Sequence, residues 1–105
     1  MFLDFQSTIV MVGAVTDAAV RTFAEDLRLP SEATARAIAR ELPRAHRIDA
    51  TQATALRRSA LDLIAALSVV HVSRGHRLIV KARHEDALRE LEDAGLAAVV
   101  DVQVD

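Results

Sequence analysis

The chain contains no cysteine. Disulfides, thiolate nucleophiles and cysteine-based metal sites are therefore excluded together. Glycine occurs three times, and neither a G-x-x-x-x-G-K-[ST] loop nor a G-x-G-x-x-G turn can be written on the sequence. A phosphate cradle built from backbone amides is thus not expected. No apolar run approaches the roughly 18 residues that a membrane span requires. The opening Met1-Phe2-Leu3-Asp4-Phe5 carries no basic segment and meets an acid at Asp4, so it does not read as a signal peptide. These absences point to a cytoplasmic protein with no direct membrane insertion. A basic stripe is also missing. The 13 basic and 15 acidic residues are interspersed, with a formal net charge of −2, which gives no footprint for nucleic acid.

What is present fits one domain over residues 1–105, half of it hydrophobic and able to fill one modest core. Ser7 to Val15 is a β-branched apolar run that reads as a strand, with Phe2 to Phe5 as a pairing candidate and Gly13 marking a bulge or turn. Thr16-Asp17 reads as a helix start, a hydroxyl cap followed by an acid at the positive end of the dipole. Val20, Phe23, Ala24 and Leu27 recur at helical spacing, and Pro30 is expected to end that helix. Ser31 is the expected cap of a second helix, with Glu32 in its first turn and Pro43 as its stop.

Ala45 to Asp49 gives only a weak strand signal. Arg58 to Val72 predicts a strongly apolar helix packed against a sheet. Ser73-Arg74-Gly75 breaks it, and Leu78 to Ala82 reads as a strand. Glu85 to Asp93 predicts an amphipathic helix with a solvated acidic face, a Glu85–Arg89 pair, and Gly95-Leu96 at its end. Ala97 to Val104 predicts a final strand with one solvated face. Strands alternating with helices imply a largely parallel sheet with right-handed crossovers. The expected class is α/β, a mostly parallel mixed sheet packed with about four helices.

The stretch ALDLIAALSVVHVSRGHRLIVKARHEDALRELEDAGLAAVVDV, Ala60 to Val102, resembles the second half of a STAS domain, the fold of anti-sigma-factor antagonists. The apolar helix, Gly75, the strand at Leu78-Ile79-Val80, Leu91 and Gly95-Leu96 fall in the family's places without a gap. Val12-Gly13-Ala14-Val15-Thr16-Asp17 is similar to the family's approach to its first helix, with one extra residue before the acid. Phe23 to Arg47 is longer than the family pattern.

The resemblance also locates a departure. The family's Asp-Ser-Ser-Gly-Leu motif, whose first serine is phosphorylated by an anti-sigma kinase, aligns with Arg57-Arg58-Ser59-Ala60-Leu61. The preceding Asp-Leu-Ser aligns with Asp49-Ala50-Thr51. Arginine therefore stands where the phosphorylated serine would be, so the switch is expected to be absent or moved to Ser59, Thr54 or Thr51. The implied function is a non-enzymatic protein-interaction module in bacterial transcription or stress regulation. Its implied contact surface gathers Thr16, Asp17, Thr51, Arg57, Arg58 and Ser59. The implied partner is a kinase-like anti-sigma factor or other STAS proteins, and a homodimer is compatible with the pattern. A regulatory STAS-like subunit of a lipid- or ion-transport complex is the alternative. A small enzyme or ligand-binding domain, or another βα domain of the same pattern, are further readings.

No cofactor is expected. His46, His71, His76 and His84 form no i,i+4 ligand pair, so no metal site is expected from them. Arg57-Arg58 reads either as a solvated helix start or as a contact to an acidic surface or a phosphorylated residue.

Overall fold

The computed structural model describes residues 1–5, 7–30 and 32–105. Along the chain run β1 (Phe2–Phe5), β2 (Thr8–Val15), α1 (Asp17–Asp26), α2 (Ala35–Arg40), β3 (Arg47–Leu56), α3 (Arg58–Val72), β4 (Ile79–Ala82), α4 (Glu85–Asp93), a 3-10 turn (Leu96–Ala98) and β5 (Asp101–Val104). The five strands form one sheet in the order β1-β2-β3-β4-β5. β1 pairs antiparallel to β2, and every later neighbour is parallel. This is the expected α/β class, a mixed, mostly parallel sheet with four helices.

Each parallel crossover steps to the next strand in the same direction. Right-handed crossovers of that kind collect all the helices on one face of the sheet. Burial agrees. Ile9, Met11 and Val15 of β2, Ile48, Ala50, Ala53 and Leu56 of β3, and Val80 and Ala82 of β4 join Val20, Phe23, Ile38, Leu63, Ile64, Leu67 and Leu91 of the helices in one core. The opposite face carries Val10, Asp49, Lys81 and Gln103 in register. At the β1 edge, Phe2 stacks on Phe23 with ring centroids 4.6 Å apart, tying the hairpin to α1. Burying side chains such as Leu63, Ile64 and Leu67 contributes about 1.5–3 kcal/mol each.

Four expectations change. The weak strand becomes a ten-residue strand in the middle of the sheet. Thr8 pairs with Arg47 and Val15 with Leu56, so ten residues of β3 run beside eight of β2. The two extra residues are absorbed in register shifts, between Val10 and Val12 and between Gly13 and Ala14 on the β2 side. Thr51 and Thr54 pair with neither neighbouring strand. These bulges slip the in-out alternation to the buried set Ile48, Ala50, Ala53, Leu56, which has neither a strand nor a helix period. Gly13 lies at the second shift with φ +75°, a left-handed conformation that glycine adopts without steric cost.

The second helix starts later than expected. Thr34 caps α2 by accepting the Ala37 N–H at 3.2 Å, and Glu32 precedes the helix. The expected cap, Ser31, lies outside the described residues. The first helix stops before Pro30 acts. Arg28 turns left-handed at φ 64°, and the Leu29 N–H returns to the Ala24 carbonyl at 2.9 Å. The last strand is short. Gly95 is left-handed, Leu96 is buried against α4, and the 3-10 turn delays β5 to Asp101.

Candidate functional site

The parallel pairing of β2 with β3 brings two helix starts together. Val15 lies opposite Leu56, and the Arg57 N–H extends the ladder to the Val15 carbonyl at 3.0 Å. α1 and α3 therefore begin side by side, beyond the carboxyl ends of adjacent parallel strands. Thr16, Asp17, Arg57, Arg58 and Ser59 meet there.

Their local chemistry differs between the two helices. Thr16 caps α1 through the Ala19 N–H at 3.1 Å. Arg57 occupies the equivalent position of α3, and its side chain makes no capping hydrogen bond. Asp17 supplies the missing acceptor, because its Oδ1 takes the Ser59 N–H at 3.2 Å. Hydrogen bonding from Ser59 holds the Asp17 carboxyl below its ordinary value against an opposing desolvation, and Arg21 and Arg57 each add less help than that desolvation takes away. Asp17 is thus a carboxylate at neutral pH and a poor proton donor.

Glu90 was expected on the solvated face of α4, but it is partly buried. Its Oε2 accepts the Leu56 N–H at 3.1 Å, pinning α4 to the junction of β3 and α3. Nothing in the amphipathic pattern of α4 separates Glu90 from its exposed neighbours Glu85, Asp86, Glu92 and Asp93. The other acidic residues of that helix behave as expected, with Glu85 and Arg89 paired at 3.4 Å.

Arg57 and Arg58 are exposed, and among the described residues neither takes part in an ion pair. They flank an open depression of about 700 Å³ whose walls also carry Leu61 and the acidic residues Asp62, Glu90 and Asp93. On the other side of the α3 start, Asp17, Arg21, Ser59 and Asp62 border a smaller one of about 320 Å³. Two unpaired guanidiniums at the positive end of a helix form a cationic tip suited to carboxylate or phosphate oxygens.

Thr51 does not belong to this surface. It sits in the middle of β3, about 15 Å upstream of the strand's end. Its hydroxyl and its N–H both donate to Asp49 Oδ1, at 2.6 and 3.1 Å. The Asp49 side chain thereby serves an amide that the bulge withdraws from the ladder. Thr54 is the exposed residue of the second bulge. β3 continues through Leu56, and the single residue Arg57 separates it from α3, so no loop intervenes to carry Thr51 towards the arginines.

Of the histidines, His71 is buried on α3, where Nε2 donates to the Ala45 carbonyl. His46, His76 and His84 are exposed. Among the described residues no group of three or more His, Asp or Glu side chains is placed to hold a metal ion. No helix among the described residues is long and apolar enough to cross a membrane. No family model, no curated protein and no solved structure matches the chain.

Proposed function

We propose that this chain is a non-enzymatic protein-interaction module of the STAS type, acting in the bacterial cytoplasm. Its partner is an anti-sigma factor or another STAS protein, met through the cationic start of α3. The observation that carries the reading is the pair Arg57-Arg58 at the first positions of a helix that offers them no partner. Arginine there opposes the helix dipole by a few tenths of a kcal/mol, and Arg57 leaves the cap unmade. A locally unfavourable choice, exposed and unpaired, is accounted for by a ligand supplied from outside. The sequential order of the parallel strands supports the same reading. So does the fall of Ala60 to Val102 onto α3, β4, α4 and β5, with Gly75 and Gly95 at the two helix exits.

The module works without the family's phosphoserine. Arg58 occupies that position, and the backbone N–H of the adjacent Ser59 is held by the Asp17 carboxylate. A phosphate on Ser59 would place about −1.5 to −2 charges against that carboxylate. Regulation therefore passes through partner availability rather than through modification of this helix start.

The test is affinity capture from the native host, followed by calorimetry of the captured partner with the wild type and Arg58→Asp. Weakened binding with an unchanged circular dichroism spectrum is expected. Unchanged affinity would remove the arginine pair from the contact surface and the proposal with it.

A further inference from the structure

A second group of cationic side chains lies at the opposite end of β3 from the arginine tip, about 30 Å away along the strand. The sequence writes it twice. Arg44-Ala45-His46-Arg47-Ile48 leads into β3 and Arg74-Gly75-His76-Arg77-Leu78 leads into β4, each an R-x-H-R run followed by a buried aliphatic residue. Because β3 and β4 are neighbouring parallel strands, the two runs lie side by side, with Arg47 in register with Ile79. Three hydrogen bonds tie the first run to the second and to the end of α3. Arg74 Nη1 donates to the Pro43 carbonyl at 2.8 Å, the His71 imidazole to the Ala45 carbonyl, and the Ile79 N–H to the His46 carbonyl at 3.1 Å.

All four arginines of the two runs are exposed, and among the described residues none joins an ion pair. Arg77 is anchored through Nη2 to the Ala98 and Val100 carbonyls at 3.1 and 3.3 Å. Like Arg74, it is held by neutral groups that leave its charge and its remaining N–H donors free. The side chains of Arg44 and Arg47 make no hydrogen bond or ion pair among the described residues. The carboxyl end of α3 gives Arg74 a structural use. Arg47 has none, since it sits in a strand on the face opposite the buried Ile48.

Three acids border the group. Asp4 and Glu41 line an open depression with Arg44, and Asp101 starts β5 level with Ile79. None comes within ion-pair distance of the four arginines. These acids decide what fits. A uniformly charged polymer such as nucleic acid, or an anionic bilayer, would be pressed against them. Neither run offers Phe, Tyr or Trp to stack on bases, or an exposed Leu, Ile or Val to enter lipid. A short acidic peptide places its carboxylates on the guanidinium forks and avoids the flanking acids.

We propose that Arg44, Arg47, Arg74 and Arg77 form a docking site for a short acidic segment of a protein partner. The site is separate from the start of α3 and does not rest on the family reading. The tethered guanidiniums of Arg74 and Arg77 are preorganised, while Arg44 and Arg47 adjust to the segment. Each exposed pairing is weak, so affinity depends on several arginines acting together and falls with salt.

Titration of the isotope-labelled full chain with a short synthetic peptide alternating Glu and Ser, followed by amide chemical shifts, tests this. Shifts at Arg44 to Ile48 and Arg74 to Ile79 are expected, saturating together and weakening as salt is raised. The same peptide can also meet the arginine tip, and shifts at Arg57 to Ala60 report that contact separately. Arg44→Glu combined with Arg47→Glu is expected to weaken the first set about tenfold and leave the second unchanged. Arg44→Gln combined with Arg47→Gln breaks no bond of the fold and should weaken the first set about fivefold, with an unchanged far-ultraviolet spectrum. No shift in the two runs at about 1 mM peptide overturns the proposal. So do shifts there that survive both double variants. Equal or tighter binding of the same residues to an oligothymidylate or to phosphatidylglycerol vesicles also overturns it, because the surface would then be a general polyanion site.

Discussion

Asp17 and Ser59 are 42 residues apart in sequence, yet the Asp17 carboxylate accepts the Ser59 N–H at 3.2 Å and so caps a helix to which it does not belong. The contact follows from the sheet, since β2 and β3 end in register and each is followed at once by a helix. Asp17 therefore joins the two starts that form the candidate surface.

Removing that carboxylate is expected to lower the thermal midpoint, with Asp17→Ala more damaging than Asp17→Asn, which keeps an acceptor oxygen. The effect depends on pH in a definite direction. The folded-state value of Asp17 lies below its ordinary 3.8. Its contribution is complete above the unfolded value and is lost as pH falls through the folded one. Asp105, lowered by Arg83, loses its contribution over the same acid range in wild type and variant alike. The difference between wild type and Asp17→Ala isolates Asp17, and it should close as pH falls below 3.8. Thermal melts followed by circular dichroism from neutral pH to about 2 measure it. A difference that stays constant would mean the carboxylate is not the stabilising form.

Glu90 makes the corresponding contact from α4 to the Leu56 N–H. Glu90→Leu leaves that amide without an acceptor and is expected to cost about 1–2 kcal/mol in urea unfolding. Glu90→Gln retains an oxygen and should cost well under half as much. Equal losses in the two variants would show that the charge, rather than the hydrogen bond, holds α4 in place.

The bulges of β3 explain why this strand was the least legible part of the fold. β2, α3, β4 and α4 each show one unbroken period, and their observed bounds lie within a residue of those expected. β3 breaks its period twice, and its buried side chains are partly alanine, which signals no element by hydrophobicity. The site divides along the same line. Thr16 and Asp17 were legible as a local helix start, whereas Arg57, Arg58 and Ser59 were set beside them only by the STAS resemblance. Glu90 and the displacement of Thr51 were not legible, because each depends on where a distant backbone amide lies. The start of α2 was misplaced for a related reason: Thr34 offers the capping chemistry three residues after the expected start, and local pattern does not choose between the two positions.

Asp49 is expected to stabilise the first bulge through its two hydrogen bonds with Thr51. Asp49→Ala should cost about 1 kcal/mol and speed exchange of the Thr51 amide, while Asp49→Asn should preserve most of both. Native-state hydrogen exchange at Thr51 reads the local effect. Exchange at Val80, in the neighbouring strand, should change only by the global loss. An unchanged Thr51 rate in Asp49→Ala would show that another group serves this amide.

Arg57 gives the sharpest separation between stability and function. It stands at the cap position of α3 with extended backbone, φ −83° and ψ 174°, and its side chain caps nothing. Serine at that position supplies an acceptor for the free N–H groups of the first turn and removes a positive charge from the positive end of the dipole. Against this, Asp17 loses the smallest of the influences that favour its charged form. The net expectation for Arg57→Ser is a gain of about 0.5–1 kcal/mol, a rise of about 4 °C in the thermal midpoint. If the arginine pair meets a partner, the same variant binds that partner more weakly while being the more stable protein. A solvated helix start with no further role predicts the gain alone, with affinity unchanged. Measuring both quantities on one variant therefore distinguishes an arginine retained for binding from one that merely occupies a helix end, and weakened binding here cannot be blamed on unfolding.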